Sequence, residues 1–180
     1  MLKHVTLLVC LAGPAVAQEC PPAPDRSGEL AFLFNRANAA RSPIEARPIA
    51  DAMWSIWADA PDDRAQALLD DGRELIGEGD LDDATEVLDD LVEYCPDYAE
   101  GYNQRAFAAY LQGEFAAALV DLNAALERQP LHVAALSGKA LTLIGLGRGA
   151  EGQRVLRQAL KLNPWLSERA LLREMPEDTF

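Results

Sequence analysis

Pro96, Pro130 and Pro164 stand 34 residues apart (130 − 96 and 164 − 130), and each closes a segment with the same internal order. A period of that length marks a supersecondary unit stacked on copies of itself, because one such unit cannot bury its apolar face alone. Counted from Ala65, Ala99 and Val133, a large apolar residue falls fourth (Leu68, Tyr102, Leu136) and a small one eighth (Gly72, Ala106, Ala140). Glycine falls fifteenth (Gly79, Gly113, Gly147), where a turn between two helices needs a left-handed backbone. Small residues fall twentieth (Ala84, Ala118, Gly152) and leucine twenty-fourth (Leu88, Leu122, Leu156), with proline just past the second helix.

This order of small residues, turn glycine and closing proline resembles the tetratricopeptide repeat. The resemblance implies an all-α solenoid of helix-turn-helix units, with full repeats at 65–98, 99–132 and 133–166. One period upstream, Phe34 takes the fourth place, Ala50 the twentieth and Trp54 the twenty-fourth, so 28–64 reads as a degenerate N-terminal repeat. Within it a helix is expected over 28–41, and Ser42, Pro43 and Glu45 give a second one its cap, first turn and capping box. Pro48 falls inside that second helix, where it would delay or kink it. After Pro164, the spacing of Leu166, Ala170 and Leu171 predicts a closing helix over 165–176 that shields the third repeat. Trp54, Trp57 and Trp165 fit core and cap packing at such spacing better than ligand stacking.

The first residues argue for export. Lys3 and His4 lead into the apolar run from Val5 to Ala12, and Ala15-Val16-Ala17 supplies a small-x-small cleavage site before Gln18. Residues 1–17 thus read as a cleavable signal peptide, too short in its apolar part to span a bilayer, and 18–27 as an extended, proline-rich arm. No small-residue box precedes Cys10 or Cys20, so a lipid anchor is not expected, and no later stretch has the pattern of a transmembrane segment. Cleavage leaves Cys20 and Cys95, which in an oxidising compartment form one disulfide that staples the arm to the first full repeat, or else remain two separate thiols.

The formal charge of −13 is concentrated in one repeat. Residues 62–98 hold fourteen acidic and two basic side chains, whereas 99–175 hold seven and nine. On the second helix of that repeat Asp82, Asp83, Glu86, Asp89, Asp90 and Glu93 fall opposite Ala84, Val87, Leu88, Leu91 and Val92. Such a face keeps a protein soluble or meets a cationic partner, and it argues against nucleic acid, which needs clustered lysine and arginine.

Reactive chemistry is thin. His132 is the single histidine after residue 17, and the acidic pairs are sequence neighbours that point about 100° apart on a helix. There is no nucleophile elbow, phosphate-binding glycine loop or zinc-ligand spacing, so neither an enzyme nor a metal or organic cofactor is expected. The resemblance implies binding instead: the first helix of each pair lines a concave groove for an extended peptide or a partner helix. By register that groove presents Arg73, then Asn103, Gln104, Phe107 and Tyr110, then Leu141 and Ile144. The carboxylate-clamping subclass of the family is disfavoured, because Leu69, Ala134 and Gly138 stand where its basic and amide residues belong. The expectation is a noncatalytic periplasmic scaffold for a protein or peptide partner, or alternatively an assembly factor that captures clients, for example in cytochrome maturation; the oligomeric state is left open.

Overall fold

A computed structural model describes residues 19–173. The signal peptide read over 1–17 and the last residues of the expected closing helix lie outside the described residues. Among these residues there are eight α-helices and no strand. They are α1 (Ser27–Ala39), α2 (Pro43–Trp57), α3 (Asp63–Glu78), α4 (Leu81–Tyr94), α5 (Ala99–Leu111), α6 (Phe115–Arg128), α7 (Val133–Gly145) and α8 (Gly149–Leu162), followed by a 3-10 turn at Ser167–Leu171.

Three hairpins, α3–α4, α5–α6 and α7–α8, each pack on the next to form a solenoid, with α3, α5 and α7 side by side. Their turns are built alike. Gly79, Gly113 and Gly147 have φ of 89°, 80° and 75°. The next amide in each case reaches back six residues inclusive: Asp80 N–H donates to Leu75 O (3.0 Å), Glu114 to Ala109 O (2.8 Å) and Arg148 to Leu143 O (2.8 Å). This Schellman pairing satisfies carbonyls that the helix end leaves orphaned, and a residue with Cβ is strained at its left-handed position. The small and large landmarks interlock between the two helices. A Cβ on Gly72 would stand 2.7 Å from Leu88, and one on Gly152 would stand 2.8 Å from the Ala140 carbonyl.

The N-terminal pair is helical but obeys different packing. Ser42 caps α2 by accepting the Glu45 N–H (3.2 Å), while the Glu45 carboxylate accepts the Arg41 N–H (2.9 Å). Pro48 leaves α2 continuous from Pro43 to Trp57. The buried face of α2 is Ala46, Ile49, Met53 and Trp57, so the landmarks sit one place earlier than the 34-residue step assigns, and Ala50 and Trp54 are only half-buried.

Ile49, Met53 and Trp57 join Leu30, Leu33, Phe34 and Ala37 in a core that also takes in Val133, Leu162 and Leu166 from the far end of the chain. Asn38 Nδ2 donates to Lys161 O (3.0 Å), and Trp165 Nε1 donates to Ala37 O (3.0 Å). The hairpin therefore bridges the first repeat to the end of the last, along the rim where α5 and α7 begin. Tyr98 Oη donates to Trp57 O (2.7 Å), and the Trp57 ring stacks on His132 at 4.4 Å.

This bridge corrects the expected closing helix over 165–176. The end of α8 is already covered by α1, so the chain after Pro164 has no apolar face left to shield. Among the described residues it forms only the five-residue 3-10 turn, none of whose residues is buried. Cys20 and Cys95 are joined by a disulfide with Cα atoms 5.2 Å apart, tying the segment before α1 to the end of α4.

A candidate binding cavity on the concave face

The inner faces of α3, α5 and α7 are roofed by Trp54 of α2 and by Leu166 to Glu168, leaving a cavity of about 590 Å³. That volume is typical of sites that hold small ligands or side-chain anchors. Of the seven groove residues read from the sequence, Arg73, Asn103, Gln104, Phe107, Tyr110 and Leu141 line it. Ile144 does not. Its side chain turns toward α8, close enough that a Cβ on Gly152 would meet Ile144 Cγ1 at 2.8 Å, because the glycine lets the two helices approach.

The apolar part is ready for contact. Phe107 is 47 % exposed although it stands mid-helix on the concave side. Tyr110 leans on Phe115 of α6 with ring centroids 5.4 Å apart. Arg73 lies over the Trp54 ring at 5.3 Å, a cation–π arrangement that holds both side chains at one edge of the cavity. The nearest carboxylate to Arg73 is Asp70, at 3.7 Å.

The polar part is organised from beneath by Glu100, which is 1 % exposed. Its carboxylate accepts from Asn103 Nδ2 (3.1 Å), from Gln104 Nε2 and from the His132 ring. His132 Nδ1 accepts the Ala135 N–H (3.3 Å) and so caps α7. A ring nitrogen that accepts carries no proton, so Nε2 bears it and donates to Glu100 Oε2 (2.8 Å). Asn103 and Gln104 thus belong to the cavity wall, but each has one amide N–H committed to Glu100 and its NH2 end turned toward it.

Ser137 Oγ and Thr142 Oγ1, both on residues that line the cavity, are buried with no hydrogen-bond partner among the described residues. The neighbouring Tyr98 phenol is pushed up from its ordinary pKa chiefly by burial, with Glu100 and Asp59 adding to the shift. Tyr98 acts here as a donor to Trp57 O rather than as an acid.

Sequence reasoning missed Trp54, Leu166 and the Glu100–His132 pair as parts of this site. Trp54 was placed in the core by the 34-residue step, and only the one-place shift in α2 turns it to the cavity. Glu100 carried a weak signal, since it occupies a groove position by register yet is followed by two amides able to neutralise its donor demand.

No protein-family model matches the chain. A TPR repeat-containing protein of Rhizobium etli is 30% identical over 115 residues, which are 64% of this chain and 56% of that protein. The chain spans little more than half the length of this curated relative. Among solved structures, the TPR2B domain of yeast Sti1 in its pHsp70 complex is 25% identical, with a TM-score of 0.57 over 61% of this chain and 90% of that one.

The first TPR of Spaghetti (RPAP3) bound to the HSP90 peptide SRMEEVD is 22% identical, with a TM-score of 0.58 over 60% and 86%. MamA from Desulfovibrio magneticus RS-1 is 20% identical, with a TM-score of 0.52 over 79% and 78%. The repeated left-handed glycines, the interlocked small and large landmarks and these likenesses agree: the chain has the tetratricopeptide-repeat fold.

Proposed function

We propose that this protein is a noncatalytic scaffold, exported to the periplasm, that holds an apolar segment of a partner protein in the concave cavity. The observation that carries the reading is the set of Phe107, Tyr110, Leu141 and Trp54 around one cavity, with Phe107 half in solvent despite its place on the inner helix. Aromatic anchors that lose water at the centre of a concave site dominate binding energy, whereas exposed rim charges add little. Peptide capture on the concave face also fits the Sti1 and RPAP3 likenesses, both of which are complexes with chaperone peptides.

The acidic HSP90 peptide SRMEEVD does not transfer to this chain. Among the described residues that line the cavity Arg73 is the one cation, and the carboxylate Glu168 shares the lining with it. Export is supported by the leader pattern in residues 1–17 and by the Cys20–Cys95 disulfide, since structural disulfides persist in oxidising compartments.

The test is crosslinking in the envelope followed by identification of the bound protein, with Phe107→Ala/Tyr110→Ala beside the parent. The double change should weaken capture by roughly thirtyfold, as for loss of about 2 kcal/mol at a hot spot, with little change in salt dependence. Undiminished capture would sink the cavity reading. Intact mass of the exported protein should place its first residue at Gln18, and retention of residues 1–17 would remove the cleavable leader.

A further inference from the structure

The polarity of the cavity is fixed from below. A carboxylate only accepts hydrogen bonds, so Asn103 and Gln104 must both turn their NH2 groups toward Glu100. The amide oxygens are then the ends left over. Neither accepts a hydrogen bond from a described residue, and neither is among the sealed, unpartnered atoms, so both keep a path to the cavity that their residues line. Glu100 cannot swing away to release the amides, because it is 1 % exposed and also bound to His132, whose ring is clamped between the Ala135 N–H and Trp57.

Two further groups on the wall lack partners. Ser137 is 5 % and Thr142 0 % exposed, and their hydroxyls sit without a hydrogen bond on the face of α7 that borders the cavity. The two amide oxygens on the wall favour a ligand that brings N–H groups, while the Ser137 and Thr142 hydroxyls, sealed from solvent and able both to donate and to accept, do not bear on that choice. A carboxylate would meet those oxygens and the nearby Glu168, with Arg73 alone in its favour.

We propose that Glu100 is the specificity-determining residue of the cavity: by making Asn103 and Gln104 acceptors, it selects an apolar partner segment that presents hydrogen-bond donors, such as backbone or side-chain amide N–H, and rejects one that presents a carboxylate. This inference rests on the cavity being the binding site. It inverts the chemistry of a carboxylate clamp while keeping the same concave face.

N-acetyl-tryptophanamide and N-acetyl-tryptophan differ only in CONH2 against COO⁻, and they serve as probes. Each is titrated into the full mature chain at neutral pH, with amide shifts of Phe107 and Leu141 followed by NMR. The amide should bind on the order of tenfold more tightly than the acid, the scale of one or two hydrogen bonds gained or left unmade.

In Glu100→Gln the substituted side chain offers a donor of its own, so Asn103 and Gln104 are free to reverse, and the preference should fall to about twofold or less. Equal or tighter binding of the acid to the parent chain overturns the proposal, as does an unchanged preference in a folded Glu100→Gln variant. Failure of both probes to shift cavity residues overturns it too. Should Glu100→Gln fail to fold, the comparison on the parent chain still decides. Phe107→Ala separates the two readings: loss of both probes together with an acid preference in the parent keeps the cavity as the site and removes only the role of Glu100, whereas binding unaffected by Phe107→Ala removes the cavity itself.

Discussion

The three repeats and the N-terminal hairpin are built from the same element, two antiparallel helices, yet they are held by different kinds of interaction. In the first repeat Gly72 of one helix receives Leu88 of the other, in the third Gly152 lies against Ala140 and Ile144 of the preceding helix, and in every repeat a left-handed glycine sets the turn. The hairpin has no such glycine; its core is completed by Val133, Leu162 and Leu166, and its ends are tied by Arg26 to Asp59 (2.6 Å), by Asn38 to Lys161 and by the disulfide. Local packing repeats, so it leaves a period in the sequence. A bridge across the mouth of the solenoid is made once and leaves none. The difference also assigns labour, because the regular part supplies the cavity floor while the irregular part supplies its roof through Trp54.

The sharpest way to break this comparison is to delete the same landmark in both regions. Leu88 is fully buried at the twenty-fourth position of the first repeat, and Leu88→Ala should cost about 2–5 kcal/mol through lost burial and an unfilled cavity. Trp54, assigned that position in the hairpin, borders the concave cavity instead, so Trp54→Ala should cost only about 1 kcal/mol despite the larger ring removed. Denaturant midpoints of the two variants decide the matter. Equal losses would mean that the hairpin is a true repeat and that its one-place shift carries no energy.

Next in size is the staple. The disulfide spans 75 positions and encloses both α1 and α2, so Cys20→Ser should destabilise the oxidised protein by about 2–4 kcal/mol, mainly by freeing the unfolded chain. The loss should be uneven. Hydrogen exchange should rise first in α1 and α2 while α3 to α8 stay protected, since the repeats keep every one of their own interlocks. Uniform loss of protection would show that hairpin and solenoid unfold as one unit.

A smaller effect separates two glycines. Gly113→Val places a β-branched residue at φ 80° and should cost about 1–3 kcal/mol. Gly28, in the first turn of α1, has nothing within 4 Å of an added Cβ and no positive φ, so Gly28→Ala should fall within about 0.5 kcal/mol of neutral. Thermal unfolding of the pair measures the contrast.

These contrasts also mark how far the sequence could be read. The solenoid, its turns and six of the residues that line the concave cavity were legible because each obeys a local rule that recurs with the period: glycine where φ is positive, small against large, a fixed face of the first helix. The 34-residue step put the buried face of α2 one place too late, because the period was carried across a boundary where the helix packs on α1 instead of on a neighbouring repeat. The closing helix failed for the complementary reason. Leu166 has helical spacing, but its apolar surface is spent on the N-terminal hairpin, and no sequence rule announces that α1 arrives there first. The Glu100 network stayed hidden because register places Glu100, Asn103 and Gln104 on the inner helix without saying which of them is buried, and only burial beside a carboxylate decides which end of an amide faces outward.

The smallest expected effect concerns the acidic repeat, where the sequence suggested an unrelieved row of charge on α4. The structure relieves part of it: Arg105 of α5 donates to Asp89 (2.6 Å) while gripping Asp121 (2.8 and 2.7 Å), and Gln112 donates to Asp82 (2.7 Å). Glu86 and Asp90 accept no hydrogen bond from a described side chain and stand four residues apart, where like charges on one helix repel. Glu86→Gln/Asp90→Asn should therefore stabilise the protein by a few tenths of a kcal/mol at low ionic strength, fading as added salt screens the pair. Asp89→Asn removes one side of an ion pair whose carboxylate is mostly exposed, and it should go the other way by about 0.2–1 kcal/mol. Opposite signs at neighbouring positions on one acidic face, measured by urea unfolding across a salt series, would show that position relative to α5 governs the energetics of this helix. If both changes stabilise alike, net charge alone matters, and Arg105 is held by Asp121 with no contribution from the acidic repeat.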